Sequence, residues 1–359
     1  MEEIKFDDAQ ISIVDGMIDW VRVVDKDNNV LYANKKMKEE LGDIEGRKCY
    51  EVFCSHKCDN CISMTTIEKG AVIKKESKVG NKTFMVVSSP VKDREGKRVC
   101  SVEVFRDITK EKDLAKKINE KNQKMSDDII FARNMQMRML PPKGMYNGLS
   151  IDYLYEPSEN LSGDFFDVFK IDEENTGIYI CDVVGHGVSA SLLTIFVRQS
   201  IRTLAKGNMD LNLIMKSLHK TFLSLNLDYD KYFSVFFGIY NKTTNEFKYV
   251  NAGHNAEPIL QRTNKKIELL KSKGYPIANI FDQVKYDENT LKLEVGDKLF
   301  LYTDGITEAK NDEMQEFGVE NLLNAIKGND NILLNLQNSI NDFSKDHKDD
   351  YAVLMAEII

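Results

Sequence analysis

From Ile108 to Met139 the chain reads as one helix, and that helix divides everything else. Ala115, Ile118, Asn122, Met125, Ile129, Ala132, Gln136 and Met139 alternate spacings of three and four, an a/d seam with charged residues elsewhere. Pro141 and Pro142 stop it, because proline has no N–H to give the preceding turn. A seam of this kind must be covered, either by the helix's own domain or by a second copy. The segment lies between two α/β patterns where a self-packing face is hard to supply, so a dimeric coiled coil through residues 109–143 is expected. Asn122, polar on such a seam, costs stability but fixes a parallel two-stranded register.

The 359 residues on either side of this helix suffice for about two domains with their own cores. Hydrophobic content of 42% and charged content of 30% fit a soluble globular chain. A net charge of −8 argues against a general nucleic-acid binder, which would carry a basic face. No stretch approaches the roughly 18–20 apolar residues of a membrane span. The start, Met1-Glu2-Glu3-Ile4-Lys5-Phe6, lacks the basic-then-apolar order of a signal peptide. A cytoplasmic protein is expected, in which the six cysteines stay reduced and form no disulfide framework.

Residues 8–108 read as a small α/β unit. Trp20 to Asp25 and Val30 to Ala33 are strand-like around the turn Lys26 to Asn29, and Asn34 caps a helix Lys35 to Leu41 that Gly42 ends. Lys82 to Ser88 and Arg98 to Phe105 form a hairpin about Lys92 to Lys97. Val24-Asp25 with Asn28-Asn29, Tyr32-Ala33-Asn34, Gly46 to Glu51 and the exit Phe105-Arg106-Asp107-Ile108-Thr109 resemble a PAS sensor domain.

Residues 145–359 alternate strand-like runs with helical ones. Strands are expected at Tyr179 to Cys181, Phe233 to Tyr240, Glu246 to Asn251, Ile259 to Gln261, Thr290 to Leu293, Lys298 to Tyr302 and Tyr351 to Ile358. Helices are expected at Ala190 to Lys206, Leu211 to Leu225 and Val319 to Ile326. Antiparallel strands with helices outside make a layered α+β fold.

Four acidic stations punctuate this half: Ser162-Gly163-Asp164, Asp182 to Gly187, Tyr302-Thr303-Asp304-Gly305 and Asp349-Asp350. Asp-Gly and Gly-Asp pairs are common turn formers, so any one station alone is a turn. Four in one domain, two of them directly after strands, can converge on a hard cation. Oxygen-only ligands suit Mg²⁺ or Mn²⁺ rather than zinc. Carboxylates crowded without metal would repel one another and hold protons. Two ions can clamp a phosphoryl group for attack by water, and no Gly-x-Ser-x-Gly nucleophile signature is present.

Leu161 to Val168, Asp182 to Ala190, Asn251-Ala252-Gly253-His254, Leu301 to Glu308 and Asp349-Asp350 resemble, in this order, the bacterial PPM serine/threonine phosphatases of the stage II sporulation protein E branch. Met135-Gln136 and Met139-Leu140-Pro141 resemble that branch's regulatory switch helix. The resemblance implies a PPM β-sandwich flanked by helices. It implies that Asp182 bridges two ions, Mn²⁺ or Mg²⁺, with the Val183 carbonyl as a further ligand. Asp304 and Asp349 would complete the second site, and Asp164 would hold metal-bound water beside Asp182. The implied substrate is a phosphoserine protein, in this branch a phosphorylated anti-sigma antagonist of the STAS fold.

The chain departs from the pattern twice. Ser162 stands where glycine is usual, a change the turn is expected to tolerate. Ala352 stands where a hydroxyl residue is usual, which removes a hydrogen bond near the last ligand. That second departure supports the alternative of a pseudophosphatase, a module that binds such a partner without turning it over. His186 and His254 lie in Gly-rich turns and are expected to bond backbone rather than act on substrate. Cys49, Cys54, Cys58 and Cys61 fall close together, and Cys58 and Cys61 have the spacing of a metal or redox pair. Zn²⁺, an iron–sulfur cluster, thiol redox sensing and plain reduced thiols all remain open for them.

Overall fold

A computed structural model of the chain describes residues 7–53, 61–93, 95–281, 284–328, 331–344 and 349–359. The chain divides into two compact units between residues 124 and 125.

The first unit runs α1 (Asp8–Asp15), β1 (Trp20–Asp25), β2 (Val30–Ala33), α2 (Lys35–Leu41), α3 (Cys49–Phe53), α4 (Ile62–Lys69), β3 (Ile73–Val79), β4 (Lys82–Lys92) and β5 (Arg98–Asp107). Its sheet is antiparallel in the order β2-β1-β5-β4-β3. Asn34 caps α2 by accepting the Met37 N–H. The same side-chain oxygen accepts the Val21 N–H, so one amide fixes both the helix start and the strand beside it. Trp20, Phe84 and Phe105 form the centre of an aromatic core.

Helix α5 (Thr109–Met139) is a single 31-residue helix, as the seam requires. The seam does not have one fate along its length. Ile118 and Met125 are exposed, whereas Ile129, Ala132 and Met139 are half-buried and Gln136 is buried. The C-terminal end of the seam therefore packs on its own unit.

The second unit continues with β6 (Gly144–Tyr146), β7 (Leu149–Glu156), β8 (Asp164–Lys170), β9 (Asn175–Val183), α6 (Gly187–Leu204), α7 (Leu211–Leu223), β10 (Tyr232–Asn241) and β11 (Glu246–Ala252). Then come β12 (Ile259–Gln261), β13 (Ile267–Leu269), β14 (Ile277–Ala278), β15 (Asn289–Lys292), β16 (Lys298–Tyr302), α8 (Asp304–Thr307), α9 (Gly318–Ile326), α10 (Ile332–Phe343) and β17 (Tyr351–Ile358). One antiparallel sheet has the order β15-β11-β10-β9-β8, with β14 beside β10, and the other the order β13-β12-β16-β17-β7-β6. The inner faces share one apolar core, to which Phe166, Ile180 and Phe236 come from the first sheet and Leu301 and Leu354 from the second. The outer face of the first sheet is covered by α6 and α7, and α9 and α10 pack on a second cluster behind the other. This is the expected helix-flanked β-sandwich.

One buried charge orders that packing. Asp167, in the middle of β8, is fully buried and receives two hydrogen bonds from Arg202 of α6 at 2.6 and 2.9 Å. Arg198 stands 3.3 Å away. The fork ties α6 to β8, the strand that begins at Asp164.

Candidate active site

The four acidic stations lie at one end of the sandwich, where the local chain leaves its strands. Asp164 opens β8 and pairs in register with Asp182 near the end of β9. Thr303 and Asp304 follow β16 directly, and Asp349 and Asp350 precede β17, its neighbour. Strand order alone thus brings the stations together two by two.

Close backbone approaches draw each pair tighter. A Cβ on Gly163 would lie 2.7 Å from both the Val183 and the Gly185 carbonyl oxygens. A Cβ on Gly305 would lie 1.9 Å from the Asp350 carbonyl oxygen. Only glycine lets these turns touch, which is why it stands beside the acid in each.

Side chains then join the two halves. The Asp350 carboxylate accepts the Gly163 N–H at 2.8 Å, the Ser158 N–H at 2.7 Å and the Ser158 hydroxyl at 2.8 Å. The Thr303 hydroxyl accepts the Ala352 N–H at 2.9 Å, and it stands near enough to the Asp164 carboxyl to favour its charged form against burial. Ser162 accepts the Asp164 N–H at 3.0 Å, so this departure from glycine adds a bond to the turn. Ala352 is buried among apolar side chains and its methyl joins the core; the hydroxyl beside the acids is that of Thr303.

The electrostatics are those of an acid cluster. Burial, with the charge of Asp182 next, pushes the Asp164 carboxyl well above the usual carboxylate range. Burial also raises Asp182, and the charges of Asp304 and Asp349 push it further. Asp349 rises through partial burial and the charges of Asp350 and Asp304. Glu308, on the turn after α8, is raised by burial and by Asp304. Among the described residues no three such side chains already form a coordination shell. They are near enough for their charges to couple, and a hard cation is the group that relieves such crowding.

The helix end and the two histidines have different parts. Gln136 donates to the Ser162 carbonyl at 2.8 Å and to the Thr194 hydroxyl at 3.2 Å, and its carboxamide oxygen accepts the Ser162 N–H at 3.2 Å. His254 is buried, and desolvation lowers its pKa to about 4. Its Nε2 faces the Tyr302 carbonyl at 2.9 Å, so that nitrogen carries the proton and Nδ1 accepts from the Ser234 hydroxyl at 3.2 Å. Ser234 pairs with Asp182 in register. A neutral His254 therefore bridges the strand ends of two stations, and its role is positional. His186 is exposed, 3.3 Å from Glu159.

Sequence reasoning missed Ser158, and it named Thr303, Asp350 and Glu308 only as neighbours within the stations, without giving them a part in the site. Thr303 and Asp350 each stood next to a named acid, but their partners lie far along the chain. Of the cysteines, Cys49 and Cys61 both point at the Asn28 side-chain oxygen, at 4.0 and 3.6 Å. Cys54 and Cys58 lie outside the described residues, and the zinc and iron–sulfur expectations go with them.

Comparison with known proteins gives the family. The Stage II sporulation protein E (SpoIIE) profile matches residues 172–359, just over half of the chain, and a PAS domain profile matches residues 15–110. Phosphoserine phosphatase RsbU of Bacillus subtilis is 27% identical over 191 residues, which are 52% of this chain and 56% of the relative. Phosphoserine phosphatase RsbP of the same organism is 27% identical over 184 residues, 50% of this chain and 45% of the relative. The chain thus spans about half the length of these curated relatives. The solved SiaA-PP2C domain of Pseudomonas aeruginosa superposes with a TM-score of 0.56 at 18% identity, covering 66% of this chain and 98% of that one. Such a likeness speaks for the fold, and the profile speaks for the family. The chain belongs to the Stage II sporulation protein E family and carries a PAS domain ahead of its phosphatase-like fold.

Proposed function

We propose that the chain is a metal-dependent protein serine phosphatase acting on a phosphorylated STAS-domain anti-sigma antagonist and regulated by its PAS domain. The observation that carries the reading is the acid cluster. Asp164, Asp182 and Asp349 all stand above their ordinary carboxylate values, first because they are wholly or partly buried and then because neighbouring carboxylates at this end of the sandwich repel their charge. A fold does not keep such repulsion without a use for it. The donors are all oxygens, which fits Mn²⁺ or Mg²⁺. Asp182, the Val183 carbonyl, Asp304 and Asp349 would hold two ions. A bound pair supplies a water of lowered pKa and neutralises phosphoryl charge.

The chain's own residues do the rest. Gly163 keeps the Val183 carbonyl within reach of the turn that bears Asp164. Thr303, held by the Ala352 N–H, stands beside the Asp164 carboxyl and favours its charged form. Asp350 is spent on Ser158 and Gly163, so it braces while Asp349, exposed, faces the solvent. Gln136 ties the end of α5 to Ser162, next to the acid. A shift of α5 would then change the acid turn without touching substrate, a two-state coupling for a sensor signal.

The names of RsbU and RsbP, both phosphoserine phosphatases, support the substrate class. The test is phosphate release from a phosphoserine STAS-domain protein with Mn²⁺. Release abolished in both Asp182→Asn and Asp304→Asn sustains the reading. A chain that binds the phosphorylated protein and never releases phosphate with Mn²⁺ or Mg²⁺ is the pseudophosphatase instead. The Thr303 hydroxyl beside Asp164 favours the enzyme, since the local hydroxyl is present despite Ala352.

A further inference from the structure

Asn28, on the turn between β1 and β2, is buried and has a left-handed backbone with φ of 65°. Its main-chain carbonyl accepts the Cys49 N–H at 2.8 Å. Its side-chain oxygen accepts from the Cys61 thiol at 3.6 Å and faces the Cys49 thiol at 4.0 Å. Cys49 opens α3 and Cys61 directly precedes α4, so the turn gathers two sulfurs from separate helices onto one oxygen. Hydrogen bonding does not explain the choice of residue, since a thiol is a weak donor and a hydroxyl would serve a carboxamide oxygen better. What two neighbouring thiols add is redox chemistry. Cys49 is 5% exposed and Cys61 is half-buried, so solvent reaches one sulfur of the pair before the other.

The other two described cysteines are unlike them. Cys100 and Cys181 are wholly buried in two different apolar clusters. Burial pushes the Cys100 thiol up to about 11 and the Cys181 thiol well above its usual range. Thiols held protonated in apolar surroundings are inert.

We propose that Cys49 and Cys61 form a reversible disulfide in response to hydroperoxides, with Cys61 reacting first and Cys49 resolving. In the first step Cys61 Sγ attacks the peroxide: an S–O bond forms, the O–O bond breaks, and the second oxygen leaves as water with the thiol's proton. Cys49 Sγ then attacks the sulfenic sulfur. The S–S bond forms, the S–O bond breaks, and the hydroxyl leaves as water with the Cys49 proton. Two thiols thus give two electrons to one peroxide. The bridge takes both thiol donors from Asn28 and ties the start of α3 to the start of α4. It concerns the sensor unit alone and stands or falls independently of the phosphatase chemistry.

The test uses full-length protein, reduced with dithiothreitol, freed of it, and titrated with hydrogen peroxide. Alkylation with iodoacetamide and peptide mass spectrometry then map the sulfurs. A peptide pair linking Cys49 to Cys61 should form saturably within one chain and vanish on renewed reduction. Trp20, the chain's one tryptophan, is stacked 6.5 Å from Phe53 at the end of α3. Its emission should change with the bridge and revert with dithiothreitol. Cys49→Ala should leave Cys61 as a sulfenic acid that dimedone traps, and Cys61→Ala should cut oxidation of Cys49 at least tenfold. Mapping the parent needs no variant, so the proposal stays testable where a variant does not fold. Cys61 bridged to Cys54 or Cys58 in place of Cys49, oxidation of Cys100 or Cys181 as ready as that of Cys61, or sulfinic acids with no bridge would each overturn it.

Discussion

Gln136 holds Ser162 by both of its backbone groups, donating to the carbonyl at 2.8 Å and accepting from the N–H at 3.2 Å. A helix side chain here completes the backbone bonding of a turn, and that turn carries Asp164. Gln136→Ala leaves buried groups unpaired, which costs roughly 1–3 kcal/mol. It should lower the urea midpoint and raise the Mn²⁺ concentration for half-maximal phosphate release. Gln136→Glu keeps the bond to the Ser162 N–H and loses the donor, so it should fall between the two. A Gln136→Ala protein matching the parent in both measurements would show that the contact couples nothing.

The acid cluster predicts opposite effects on stability and activity. Asp182→Asn removes a charge that Asp164 feels directly. In metal-free protein the variant should melt about 2–4 °C higher for each 1 kcal/mol of repulsion relieved. With Mn²⁺ the order should reverse, because the parent gains stability from the ions and the variant does not. Phosphate release should drop at least a hundredfold. Differential scanning calorimetry with and without Mn²⁺ checks this, and equal metal stabilisation of parent and variant would count against Asp182 as a ligand.

Much of the fold is legible in local pattern. Asn34 and Gly42 bound α2, and the apolar runs give β12, β16 and β17 with their ends in place. Strand β8 is not legible, because Asp167 interrupts its apolar run and its partners, Arg198 and Arg202, come from a helix some thirty residues on. Helix α10 is equally hidden: its start, Asn331, has a left-handed backbone and no side-chain cap. In the site Asp164 and Asp304 are legible because glycine stands beside them, Asp182 because Gly185 and Gly187 follow it, and Asp349 only as half of an acidic pair. Their bracing is not. Asp350 reaches Ser158 and Gly163 across nearly the whole unit, and no local spacing encodes that. The α5 seam is legible as a helix, while its division into an exposed and a packed length is a property of the fold.

His254 predicts a pH dependence of stability. Its folded pKa is lowered to about 4 from an ordinary value near 6.5. Between those values the unfolded chain takes up a proton that the folded one refuses, so stability is fully present above about pH 6.5 and is lost as pH falls toward 4. The whole interval corresponds to about 3 kcal/mol. Urea unfolding at pH 7, 6 and 5 should show a decline in the parent that is shallower in His254→Gln. The same slope in both would remove His254 as the source.

Gly305 offers the sharpest structural test. A Cβ there meets the Asp350 carbonyl at 1.9 Å, a backbone atom that cannot swing aside. Moving it displaces the Asp350 side chain, which holds Ser158 and Gly163. Gly305→Ala should therefore cost about 3 kcal/mol or more, at the upper end for single substitutions, and should abolish phosphate release. Gly16→Ala is the matched control, since a Cβ there finds nothing nearer than 3.5 Å and the backbone is already helical; its effect should stay within about 0.5 kcal/mol. Because Gly305 adjoins Asp304 and is pressed against the Asp350 backbone, Gly305→Ala should also weaken Mn²⁺ binding although it removes no ligand. Isothermal titration with Mn²⁺ reads this directly, and undiminished affinity in a folded Gly305→Ala protein would separate the turn from the metal site.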